Sequence, residues 1–237
     1  KSKFLELFPL EATGHEEIDE SRPHPPQYNV LRGEEIEKHE LVENIRNSPL
    51  TDHSQELKES DGPVYEKSTR AKIKLSERIT PEDHWQDIRH IVFDLMDTGL
   101  KYQPGDALAV QMENPASLVD ELLKRFNIEQ PDEPIAFTKM DKNAPTIPFH
   151  KAILSWREVF THYLDIAGTP PRYFFELLSK FTESSVEKER LEYLISGEGT
   201  DDYYRYNERE KRSVLEALSD FPGANPPESY ILDMIPL

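Results

Sequence analysis

The residues able to do chemistry in this chain are few, and their spacing is poor. There is no cysteine among the 237 residues, which excludes disulfides, thiolate metal sites and cysteine nucleophiles and fits a reducing compartment. His39-Glu-Leu-Val-Glu43 comes near a zinc-binding helix, but ligands at i and i+4 need His at both places, and Glu43 breaks the pattern. A solvated charged face is the expected reading. Glu198, Asp201 and Asp202 are carboxylates close in sequence, yet a calcium loop needs alternating ligands and a bidentate Glu farther on. A helix cap with favourable dipole charge accounts for them better. His84, His90, His150 and His162 lack ligand spacing, and His162 reads as a rim residue of its helix. Gly197-Glu-Gly199 follows no strand and lacks phosphate-loop spacing, and no Gly-x-Ser-x-Gly elbow is present. The adjacent cations Lys211 and Arg212, taken alone, read as surface charges on an acidic protein. No catalytic residue and no metal site emerges.

The elements that must carry these residues are clearest from Ser155 to Phe221. Ser155 and Glu158 have capping-box spacing, and Val159, Phe160, Tyr163 and Leu164 follow as a helical stripe. Gly168 and Pro170-Pro171 stop that helix. Phe174, Leu177, Leu178 and Phe181 give the next amphipathic face, and Ser184 with Glu187 predicts a second capping box ahead of Leu191, Leu194 and Ile195. Asp201 or Asp202 is expected to cap the aromatic turn Tyr203–Tyr206. Asn207 is expected to cap a last helix with Val214, Leu215 and Leu218 on its face. Four or five short helices make this an all-α stretch.

The rest is less regular. Phe4–Phe8 reads as the last turn of a preceding domain or as a frayed terminus. Glu11–Val64 holds 14 acidic and 5 basic residues with five interrupting prolines, and it reads as a linker with one thin helix over Glu34–Arg46. Three alternating runs predict antiparallel strands: Ala71, Ile73 and Leu75; Ile91, Phe93 and Leu95; Leu108, Val110 and Met112. Turns at Thr80–Asp83, Asp97–Gly99 and Tyr102–Asp106 separate them. Asn114-Pro115 predicts the start of a helix burying Leu118, Val119, Leu122, Leu123 and Phe126. Pro131, Pro134, Pro145 and Pro148 predict a loop after it.

Several of these segments carry a family resemblance. Thr161-His-Tyr-Leu-Asp-Ile166, Pro171-Arg-Tyr-Phe-Phe-Glu-Leu-Leu178, Lys211-Arg-Ser-Val-Leu-Glu-Ala-Leu218, Asp220-Phe-Pro222 and Leu232-Asp-Met-Ile-Pro236 resemble, in order and spacing, the connecting domain of NADPH-dependent diflavin reductases. This is the cytochrome P450 reductase-like group, and the branch most similar is the cytosolic one that serves iron–sulfur cluster assembly. The resemblance runs from Lys67 to Leu237. It implies an α+β chain: an acidic flexible linker (1–64), the first strands of an antiparallel FAD-binding β-barrel (65–113) and an inserted all-α connecting domain (114–237). It further implies FAD, FMN and NADPH as cofactors of the parent enzyme, an iron–sulfur acceptor protein of the anamorsin type, and a cytoplasmic location.

The resemblance also implies a role for Lys211 and Arg212. The family's first residue of this basic pair is an Arg that contacts FAD, and here that place is held by Lys211, a point charge without a planar fork. The family's Arg-x-(Tyr/Phe)-Ser strand is not in the sequence, so the chain is expected to be a middle section that does not hold FAD tightly alone. The competing readings are a non-catalytic helical interaction module with an acidic arm, and a fragment of cytochrome P450 reductase itself. A net charge of −18 argues against a nucleic-acid partner, and no apolar run is long enough for a membrane span.

Overall fold

The computed structural model describes residues 22–38, 69–140, 143–147, 149 and 152–237. The expected last turn at Phe4–Phe8, the zinc-like His39–Glu43 and most of the expected linker lie outside these residues. By contact density the described chain forms two compact units, one of residues up to Gln27 with Ala167–Pro236, the other of Tyr28–Ile166 with Leu237.

In the second unit, β1 (Tyr28–Arg32) pairs antiparallel with β4 (Ile135–Lys139), in a register from Tyr28 opposite Lys139 to Arg32 opposite Ile135. Both strands correct the sequence reading, which placed Tyr28–Arg32 in a linker and Ile135–Lys139 in a proline loop. Pro134 ends before the first ladder residue, so it removes no strand donor. Ile135 also bonds Leu154 in both directions, at 2.7 and 2.9 Å. Helix α1 (Glu34–Lys38) buries Ile36 and begins where the longer helix was expected; residues 39–46 are outside the described set.

Strands β2 (Lys72–Arg78) and β3 (Arg89–Asp94) form a separate antiparallel pair with a bulge between Ile73 and Leu75. Their two alternating runs were expected; the third was not found. Leu108, Val110 and Met112 are in no strand and are 72, 51 and 76% exposed. Alternation gives a strand only where a neighbouring ladder takes its amides, and among the described residues none does. The turns are present: Thr98 N–H bonds Leu95 O at 3.2 Å, and Asp106 N–H bonds Gln103 O at 3.1 Å.

Helix α2 (Ala116–Arg125) packs on α3 (Trp156–His162), bringing Phe126 and Phe160 to 5.9 Å. Its cap residue is Pro115 rather than Asn114, whose Nδ2 donates instead to Phe160 O and Leu164 O at 2.7 and 2.8 Å. Those carbonyls lie at and just past the end of α3, and Leu164 O also accepts from Ile166 N–H at 2.9 Å. The Ser155–Glu158 capping box forms as its spacing predicts. Trp156 is fully buried, edge-on to Phe137 at 5.4 Å.

The first unit is helical: α4 (Arg172–Lys180), α5 (Ser185–Ile195), α6 (Thr200–Tyr203), a π-helical turn (Tyr204–Arg209), α7 (Val214–Asp220), a 3-10 turn (Glu228–Tyr230) and α8 (Ile231–Met234). Phe174, Phe175, Leu178, Leu191, Val214, Leu218 and Ile231 have no exposed surface. Burial of each is worth roughly 1.5–3 kcal/mol. Only half of the second expected capping box forms. Ser184 accepts from Glu187 N–H, but the Glu187 carboxylate accepts from Thr182 Oγ1 and Gly223 N, at 2.9 and 3.1 Å. The cap of α6 is Gly199, not Asp201 or Asp202. A β-carbon at Gly199 would strike the Tyr193 carbonyl, so glycine is required by space. Among the described residues the fold is therefore mixed helix and strand with two small antiparallel sheets.

Candidate cofactor-contact site

Lys211 and Arg212 lie in the turn between the π-helix and α7. The expected cap Asn207 is not in that turn. It is fully buried within the π-helix, its Nδ2 donating to Pro170 O at 2.9 Å and Tyr203 Oη at 3.1 Å, with Oδ1 unpaired. The cap of α7 is Ser213, which forms a complete capping box with Glu216. Those bonds hold the Glu216 carboxyl below the usual carboxylate range. A third Ser-x-x-Glu was thus legible at Ser213, and the asparagine drew the prediction away from it.

The two cations are used differently. Arg212 turns inward: its Nε donates to Tyr206 O at 2.8 Å, its Nη1 lies 3.1 Å from Asp220 Oδ2, and its guanidinium stacks 4.4 Å from the Tyr206 ring centre. Tyr206 Oη donates to the same Asp220 oxygen at 2.8 Å. Burial, then that bond, pushes the Tyr206 phenol far up, so it stays a donor. A second guanidinium, Arg190, lies 5.8 Å from the same ring. Lys211 is exposed and has no ion pair with any described residue. Its backbone is left-handed, with φ of 54°. Tyr206, Asp220 and the strained backbone were not anticipated; tyrosine and aspartate fourteen positions apart carry no spacing signal.

Other polar groups have structural duties. Arg172 donates to Ile195 O and Ser196 O, at 2.5 and 2.6 Å from Nη2, and closes the end of α5. Asp202 accepts from Tyr193 Oη at 2.8 Å and pairs with Arg205 at 3.3 Å. His162, partly buried, has Nδ1 3.7 Å from Glu113. Among the described residues no group of three or more His, Asp or Glu converges as a metal shell, and no helix is long and apolar enough to cross a membrane.

The chain belongs to the FAD binding domain family, which matches residues 63–237. It is similar to NADPH-dependent diflavin oxidoreductase 1 of Dictyostelium discoideum, at 35% identity over 81% of this chain and 31% of that protein. It is also similar to the proteins of the same name from Xenopus laevis, at 30% identity over 99% of this chain and 38% of that protein, and Arabidopsis thaliana, at 30% identity over 70% and 27%. The chain thus spans no more than 38% of the length of these relatives.

Proposed function

We propose that this chain works as part of an NADPH-dependent diflavin reductase, carrying electrons from NADPH through FAD and FMN to an iron–sulfur acceptor protein of the anamorsin type in the cytoplasm. The observation that carries this reading is the match of residues 63–237 to an FAD binding domain together with relatives named for diflavin chemistry. The acceptor and the compartment rest on the resemblance to the cytosolic iron–sulfur branch.

Within that enzyme, β2 and β3 open the FAD-binding barrel, and the helices form the inserted connecting domain that sets the distance between flavin modules. The apolar side chains left on the hairpin support the barrel reading, since Ile73, Ile79 and Ile91 remain 61, 64 and 44% exposed. FAD supplies hydride acceptance and single-electron release. The residue of this chain that fits it is Lys211, an exposed ammonium without an internal partner, suited to a phosphate as a point charge. Arg212 is held by Tyr206 and Asp220 and does not face outward in the same way.

The test is to purify the complete gene product containing this chain and record its visible spectrum and NADPH oxidation with an added iron–sulfur protein. Flavin bands with NADPH-dependent reduction of that protein are expected. A colourless product inert to NADPH overturns the reading and leaves the acidic interaction module in its place.

A further inference from the structure

Three non-glycine residues among those described have positive φ: Asp97 at 68°, Asn127 at 55° and Lys211 at 54°. Asp and Asn tolerate this region because their short polar side chains bond locally; lysine has no such compensation. Asn127 and Lys211 hold the same structural position, one residue past the C-cap of a helix, Phe126 and Glu210 respectively. After α2, the Asn127 N–H bonds Lys124 O at 3.1 Å and the Ile128 N–H bonds Leu123 O at 2.9 Å, the paired bonds of a left-handed helix stop. After the π-helix, the Arg212 N–H bonds Asn207 O at 3.2 Å, the counterpart of the Ile128 bond. At the first stop the residue suits the backbone. At the second it does not, and the turn carries an added device: the Arg212 guanidinium reaching back to Tyr206 O, stacked on the Tyr206 ring and tied through Asp220 to the Tyr206 hydroxyl.

We infer that Arg212 is a positioning residue: braced by Tyr206 and Asp220, it imposes the left-handed turn that carries Lys211 outward. The lysine is thereby a cation at a place where glycine or asparagine would be cheaper for the backbone, the pattern of a side chain retained for contact rather than for folding. The flavin end of this inference rests on the proposed function; the turn does not. Arg212 touches no ligand in this scheme. It acts through the backbone of its neighbour.

A double-mutant cycle on melting temperature tests the turn in the 237-residue chain without flavin. Lys211→Gly relieves the strain and raises the melting point by about 2–4 °C in the native background. With Arg212→Gln, which no longer enforces the turn, the glycine gives no rise. If the glycine gain is the same in both backgrounds, Arg212 is a structural residue only and the inference is overturned. Should Arg212→Gln not fold, Tyr206→Phe, which removes only the hydroxyl bond to Asp220, completes the same cycle. Flavin release from the complete reductase, followed by the fluorescence of freed FAD, tests the aim of the turn. Lys211→Gln is expected to speed release roughly tenfold. Arg212→Gln speeds it too, but adds nothing in the Lys211→Gln background. Release unchanged by Lys211→Gln overturns the flavin contact while leaving the turn to the melting cycle. Acceleration by Lys211→Gln with none by Arg212→Gln overturns the positioning role.

Discussion

The helices of 167–236 and the hairpin of β2 with β3 treat apolar sequence in opposite ways. In the helical stretch Phe174, Phe175 and Leu178 vanish into a core, and helix ends are closed by its own side chains, Arg172 at α5 and Ser213 with Glu216 at α7. In the hairpin no residue of either strand is buried. A helix meets its backbone bonds within itself and needs only one covered face; a two-stranded ribbon leaves both outer edges and both faces unmet. The difference teaches that the helices of 167–236 close their own core, whereas no described residue buries the hairpin.

Substitutions can break or sharpen this contrast. Phe175→Ala removes a ring that meets Phe174, Tyr203 and Tyr206, and is expected to cost about 3–5 kcal/mol in chemical denaturation. A loss under 1 kcal/mol would mean the helical core is loosely packed. Gly199→Ala drives a methyl against the Tyr193 carbonyl and is expected to cost roughly 1–3 kcal/mol, read as a lower melting temperature. Asp233→Asn acts through pH. Burial raises the Asp233 carboxyl above its ordinary value, only partly offset by the bond from Gln27 N–H, and its other oxygen is buried without a partner. The folded state therefore takes the proton more readily, and native stability from this group rises as pH falls through the raised value. The asparagine variant is expected to be the more stable at pH 7, with the gap closing on acidification and gone below about 3.9. A gap that widened in acid would refute this. Leu75→Thr in the hairpin is expected to change stability by less than about 0.5 kcal/mol, the smallest effect of the four, in melts of the same chain. A large loss there would show that the hairpin is covered after all.

The same contrast explains what could be read in advance. Ser155 with Glu158, and the apolar stripes of α3, α4 and α5, were legible because helical signals lie within one or two turns of sequence. Tyr28–Arg32 looked like linker because its partner strand lies beyond a long insertion, and no local pattern reports a distant ladder. Leu108–Met112 failed for the converse reason: alternation was present and a partner was not. At the candidate site the residue type of Lys211 was available to resemblance, but its left-handed backbone and the inward duty of Arg212 depend on Tyr206 and Asp220, which only folding brings together.

The pairing of β1 with β4 also dictates an order of events during synthesis. Arg32 meets Glu133 across 101 positions, and Tyr28 Oη donates to Pro145 O across 117. At usual elongation speeds, β1 leaves the ribosome roughly 5–20 s before its partner exists. Through that interval an extended segment with buried-type residues Tyr28 and Leu31 stands without a mate, while α2 is still being made. The unit therefore closes from its C-terminal side, when Ile135–Lys139 emerges and captures a strand that has been waiting.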